Sequence, residues 1–103
     1  MIMGLLSWLG FGNAGLKKAL ASDGVIIDVR TPQEFDQGKI PGSINIPVDR
    51  ISSQAERIKQ MNRPVIVCCA SGMRAGIAKS SLKKAGITNV HNGGGWRSLM
   101  EKM

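Results

Sequence analysis

Two runs of apolar, mostly β-branched residues stand out along the chain: Gly24-Val25-Ile26-Ile27-Asp28-Val29 and Val65-Ile66-Val67-Cys68-Cys69. Each is apolar at nearly every position rather than at every second one, which predicts strands buried on both faces. Helical spacing surrounds them. Leu16, Ala19 and Leu20 share a face in a helix expected over Asn13–Ser22 and closed by Asp23-Gly24. Thr31-Pro32-Gln33-Glu34 has the form of a capping box, with a hydroxyl to cap, a proline suited to the first turn and a carboxylate that can reach back. A short helix is expected there, stopping at Gly38. Ile40-Pro41-Gly42 reads as a turn, and Ser43–Ile46 as a short strand stopped by Pro47. Ile51, Ala55 and Ile58 recur at helical spacing in a polar stretch that ends before Asn62. Ala75–Ala85 predicts a helix with Ile77, Ala78, Ser81 and Leu82 facing inward and Gly86 at its end. Beyond it, Thr88–His91 predicts a brief strand with His91 near its carboxyl edge, Gly93–Gly95 a flexible turn, and Trp96–Met103 a last helix.

Strands alternating with helices imply right-handed crossovers. The fold class expected is α/β, a three-layer α/β/α arrangement around a small, mainly parallel sheet of about four to five strands. In such sheets functional groups gather beyond the carboxyl ends of the strands, and Cys69 stands at one of them. The 103 residues suffice for one core, and residues 13–103 read as that domain. Residues 1–12 (MIMGLLSWLGFG) are apolar and uncharged, and fall short of the ~20 residues that span a bilayer. Lys17 and Lys18 follow this run instead of preceding it, the wrong order for a signal peptide. The expectation is an N-terminal extension whose Leu5, Leu6, Trp8 and Phe11 pack on the domain, with docking of a partner as the alternative.

Charge narrows the partners. Fourteen Lys and Arg face seven Asp and Glu, a formal net charge of +7, and the excess lies in the second half of the chain. Such a field draws in anions. No aromatic residues interleave with the basic ones, so nucleic acid is not expected. The two cysteines, Cys68 and Cys69, are neighbours. Adjacent cysteines bridge only through a strained ring, and two thiols are too few to close a zinc site. No metal or cofactor is expected, and the cytoplasm is the expected location.

The segment Cys69-Ala70-Ser71-Gly72-Met73-Arg74 joins a buried strand to the start of a helix. A loop wrapped around a helix N-terminus points backbone N–H groups inward and makes an anion nest, which favours a cysteine at its mouth as thiolate. Gly72 lets the backbone turn, and Arg74 adds a planar cation that can hold loop carbonyls or an incoming anion. Strand alternation turns Cys68 the other way, into the packing.

Three further segments sharpen this reading. Asp28-Val29-Arg30-Thr31-Pro32-Gln33-Glu34-Phe35 resembles the first signature of rhodanese domains, and Gly38-Lys39-Ile40-Pro41-Gly42-Ser43-Ile44-Asn45-Ile46-Pro47 is similar to the second. The loop from Cys69 to Arg74 resembles the family's active-site motif, and Val90 with Gly93 to Gly95 its closing segment. The resemblance implies a sulfurtransferase in which Cys69 carries a persulfide, the amides from Ala70 through Ser71, Gly72 and Met73 to Arg74 stabilise the anion, and Arg74 braces the loop. It implies structural roles for Asp28, Arg30 and Glu34. It also implies a small anionic sulfur donor such as thiosulfate, and a thiol or cyanide as acceptor. Related phosphatases carry a loop one residue longer. Lys39 departs from the histidine usual at its place, Ala70 and Met73 stand where basic or polar residues are common, and Leu99 lies where a tryptophan often falls. The missing loop cations leave a sulfur-relay protein, serving a partner with little thiosulfate turnover, as the alternative to an enzyme; a non-catalytic binding module is a third reading.

Overall fold

The computed structural model describes residues 14–103. Asn13 and the apolar run of residues 1–12 lie outside the described residues. Residues 14–21 form helix α1. Then follow β1 (Val25–Asp28), α2 (Pro32–Asp36), β2 (Ile44–Asn45), two 3₁₀ turns (Val48–Arg50 and Ser52–Gln54), α3 (Ala55–Gln60), β3 (Val65–Cys69), α4 (Met73–Lys84), β4 (Val90–Gly95) and α5 (Trp96–Glu101). The four strands pair in the order β2-β1-β3-β4, all parallel.

The two apolar runs become the central pair, β1 and β3, with Val25 opposite Val65 and Asp28 opposite Cys68. Alternation divides their side chains between two layers. Val25, Ile27, Val65, Val67 and Cys69 meet Ile58 of α3 and Ala75, Ala78 and Leu82 of α4. Ile26, Ile66 and Cys68 meet Leu16 and Ala19 of α1 and Leu99 of α5 on the other face. Fully burying an isoleucine or leucine contributes about 1.5–3 kcal/mol. Ile27, Ile66, Leu82 and Leu99 are all fully buried, whereas α2 buries none of its residues. The strands and their covering helices therefore hold the fold, and α2 is fastened by polar contacts.

Three expectations are corrected. Ile77 is 57% exposed, because the inward face of α4 is the narrow stripe of Ala75, Ala78 and Leu82. The glycines at 93 to 95 belong to β4, where Gly94 and Gly95 pair with Cys68 and Cys69 beyond a bulge. A Cβ on Gly93 would lie 2.9 Å from both Ile66 and Leu99, and one on Gly95 would lie 2.8 Å from the Ala70 carbonyl. Close approach, not flexibility, requires glycine there. His91 consequently sits opposite Ile66, well back from the carboxyl edge.

Candidate active site

β3 ends at Cys69, and the chain turns through Ala70 and Ser71 into Gly72, whose φ of +101° suits a residue without a Cβ. Gly72 is the N-cap of α4 and supplies no side-chain cap. The first turn of a helix leaves N–H groups without intrahelical partners. Here a sulfur takes them: the Gly72 N–H donates to Cys69 Sγ at 2.9 Å and the Ala75 N–H at 3.4 Å. Cys69 thus caps α4 from a distance, in the place a Ser or Asp oxygen usually occupies. Burial by itself pushes this thiol up, but backbone N–H donors from Ala75, Ser71, Gly72 and Arg74 outweigh it and hold the pKa below the ordinary value. The twelve-residue α4 directs the positive end of its dipole at the same point.

Cys68 has the opposite surroundings. It is fully buried among Ile66, Ile40 and Leu99, and among the described residues no backbone N–H donates to it. Burial, with the Asp28 carboxylate adding to it, pushes the thiol up to about 12.

Polar contacts fasten the loop from two sides. The Arg74 fork donates to Glu34 at 2.7 and 3.0 Å. Arg74 was expected to grip loop carbonyls or an incoming anion; instead its cation goes to a carboxylate on α2. Glu34 is held ready for it, accepting from Thr31 N–H and Oγ1 at 3.1 Å each in the expected capping box. The Arg74 bond, with the Thr31 backbone, brings the Glu34 pKa down to about 2. Behind this contact lies Asp28, fully buried, accepting from Arg30 Nε at 3.0 Å and Nη2 at 2.7 Å. The same guanidinium donates to the carbonyls of Glu34 at 3.2 Å and Gly38 at 2.6 Å. From the other side, Asn92 Nδ2 donates to the Gly72 carbonyl at 3.0 Å, while its Oδ1 accepts from Gly94 N–H at 2.8 Å.

The structure gathers Cys69, Ser71, Gly72 and Arg74 into one cradle and ties Glu34 to it, with Asp28 and Arg30 one layer behind. Ala70 is not among the N–H donors to the sulfur. Met73 points out at 80% exposure. Sequence reasoning gave no role to Ala75 or Asn92, and it read the closing glycines as a turn when they belong to β4. The signal for Ala75 was its place as third residue of α4; Asn92 carried none, because its role depends on the bulge. His91 is half-buried, bonded to Asn89 at 2.8 Å, and pushed toward its neutral form by burial and by Lys79 and Lys83. Among the described residues no three His, Cys, Asp or Glu side chains gather as a metal site, and no helix is long and apolar enough to cross a membrane.

A family model, the Rhodanese-like domain, matches residues 13–102. Thiosulfate sulfurtransferase PspE of Escherichia coli strain K12 is 36% identical over 74 residues, 71% of this chain and 71% of its own length. The uncharacterized protein YqhL of Bacillus subtilis strain 168 is 37% identical over 79 residues, 77% of this chain but 58% of YqhL. The chain thus spans less than two thirds of that relative. The solved structure of the human single-domain sulfurtransferase TSTD1 is similar with a TM-score of 0.67 at 28% identity, covering 85% of this chain and 91% of that one.

Proposed function

The chain belongs to the rhodanese-like domain family, and from that premise we propose that it is a sulfurtransferase working through a persulfide on Cys69. The thiolate attacks the outer sulfur of a donor such as thiosulfate; a new S–S bond forms, the donor's own S–S bond breaks, and sulfite leaves with the electron pair. A thiophilic acceptor, cyanide or a thiolate, then attacks the outer sulfur of the persulfide and Cys69 departs as thiolate. Both anionic states need the same stabilisation, which fixed N–H dipoles supply without reorganising. The carrying observation is the pair of amides, Gly72 and Ala75, aimed at Cys69 Sγ. No histidine base is required, since the field of the loop already favours the thiolate. A reducing compartment such as the cytoplasm suits this chemistry, because there a reactive thiol stays unbridged.

Thiocyanate formation from thiosulfate and cyanide tests the proposal, with Cys69→Ser as control. Turnover in the unsubstituted protein and none in the variant is expected; equal rates in both contradict it. A second reading, relay of sulfur between proteins, is favoured by Met73, whose apolar side chain stands 80% exposed at the loop. It expects loading of Cys69 by a persulfidated protein to outpace loading by thiosulfate, read from the protein's mass.

A further inference from the structure

The loop around Cys69 offers an anionic donor no side-chain cation of its own. Ala70 and Met73 carry none, and the Arg74 fork is committed to Glu34. A cation nevertheless stands beside it. On the Ala70 flank lies a cleft of about 220 Å³ bordered by Arg30, Glu34, Gly38, Ala70, Trp96 and Arg97. Its charges can be summed. Arg30 is neutralised by Asp28 at 2.7 Å and Glu34 by Arg74 at 2.7 Å. Arg97 remains, with no carboxylate within 4 Å among the described residues.

Arg97 is also held. Its guanidinium lies 4.9 Å from the centre of the Trp96 ring, and that of Arg30 lies 4.7 Å from the same ring. One edge of the Trp96 ring packs closely on Gly38, where a Cβ would come within 3.0 Å of it. Stacking on an indole orients the planar guanidinium and leaves its donor fork available to an oxyanion. The cleft is smaller than the ~300 Å³ at which pockets for drug-sized ligands begin. Its size suits a small inorganic anion better than a peptide.

We infer that Arg97, stacked on Trp96, forms a small-anion subsite on the Ala70 flank of the loop, which takes the sulfonate end of a dianionic sulfur donor while its outer sulfur faces Cys69. The subsite rests on the sulfur-transfer reading above. It explains how a loop carrying Ala70 still attracts a charged donor: the cation comes from α5, and a small residue at 70 leaves the cleft open to it.

Two donors that differ by one charge test the subsite. Thiosulfate is a dianion; methanethiosulfonate is a monoanion that gives up its outer sulfur in the same way, with methanesulfinate leaving. Steady-state KM and kcat are measured for both, with cyanide as acceptor, in the unsubstituted protein, Arg97→Gln, Arg97→Lys and Lys59→Gln. Lys59 borders a cavity with Pro64 and Val65 at the opposite end of β3, so its loss removes the same charge elsewhere. Arg97→Gln is expected to raise KM for thiosulfate about four-fold, the scale of an exposed charge pair, with kcat unchanged and at most a roughly two-fold change for methanethiosulfonate. Arg97→Lys should fall between, keeping charge but losing the planar stack, and Lys59→Gln should change nothing. Equal effects on both donors, or none, while Cys69 still gains sulfur by mass, overturn the subsite and leave the sulfur chemistry standing. Absence of any sulfur adduct in the unsubstituted protein overturns both.

Discussion

Cys68 and Cys69 share one strand, one residue type and near-complete burial, at 0% and 1% exposure, yet their thiols shift in opposite directions. Cys68 faces the layer of α1 and α5, amid apolar side chains and opposite Asp28. Cys69 faces the layer of α4, at the point where the helix leaves N–H groups unpaired. Burial disfavours a charged thiolate on both sides; only one side supplies dipoles to offset it. The difference teaches that the backbone, arranged by a strand, a tight loop and a helix start, is what favours the thiolate at Cys69. A neighbouring basic side chain is the lesser influence: the loop's cation, Arg74, is paired with Glu34, and the backbone N–H groups lead in lowering the pKa.

The largest effect expected from breaking this comparison is chemical. Cys69→Ser abolishes sulfur loading, whereas Cys68→Ala keeps turnover within about two-fold and costs about 1 kcal/mol of stability for the lost buried sulfur. Thiocyanate assays and chemical denaturation of the two variants check both halves. Next comes the polar tie behind the Cys68 side. Arg30→Ala leaves Asp28 charged, buried and unpaired, and is expected to destabilise the protein by about 3–5 kcal/mol, seen in urea unfolding. A smaller effect comes from closing the space beside the loop. Gly95→Ala sets a Cβ against the Ala70 carbonyl at 2.8 Å. About 1–3 kcal/mol of destabilisation is expected, together with a raised Cys69 pKa as the loop shifts, read from alkylation rates against pH.

How much of this was legible in the sequence depended on whether a feature was local. The strands β1 and β3, the capping box at Thr31 and Glu34, and the facing of Cys69 and Cys68 to opposite sides of the sheet follow from short-range pattern, and the structure has them. The Rhodanese-like motifs could be read because they are contiguous. Long-range contacts could not. Arg74 meets Glu34 forty positions earlier in the chain, and Asn92 reaches Gly72 twenty positions back. Gly93 to Gly95 look like a turn by composition, but pairing with Cys68 and Cys69 places them in β4, and the approach of Ile66, Leu99 and Ala70 leaves room only for glycine at 93 and 95. Ile77 was misjudged because spacing alone does not show how narrow a helix face its neighbours cover.

The smallest effect concerns the tie from the loop to α2. The Glu34 carboxyl is held at about 2, below its ordinary 4.5. A depressed carboxyl stabilises the fold fully above its unfolded pKa and loses that contribution as pH falls through the folded one. The stability difference between the unsubstituted protein and Glu34→Gln should therefore be flat from neutral pH down to about 4.5 and shrink to nothing near pH 2. It should stay under about 1 kcal/mol, because the pair is partly exposed. Denaturation at a series of pH values reads it directly.

The central claim is that inward-facing amides hold a negative sulfur at position 69. The most direct measurement is the pH titration of thiolate absorbance in Cys68→Ala, where Cys69 is the only thiol left. A midpoint clearly below the ~8.5 of a free cysteine is the result expected. A midpoint at or above that value contradicts the account, however closely the fold matches its relatives.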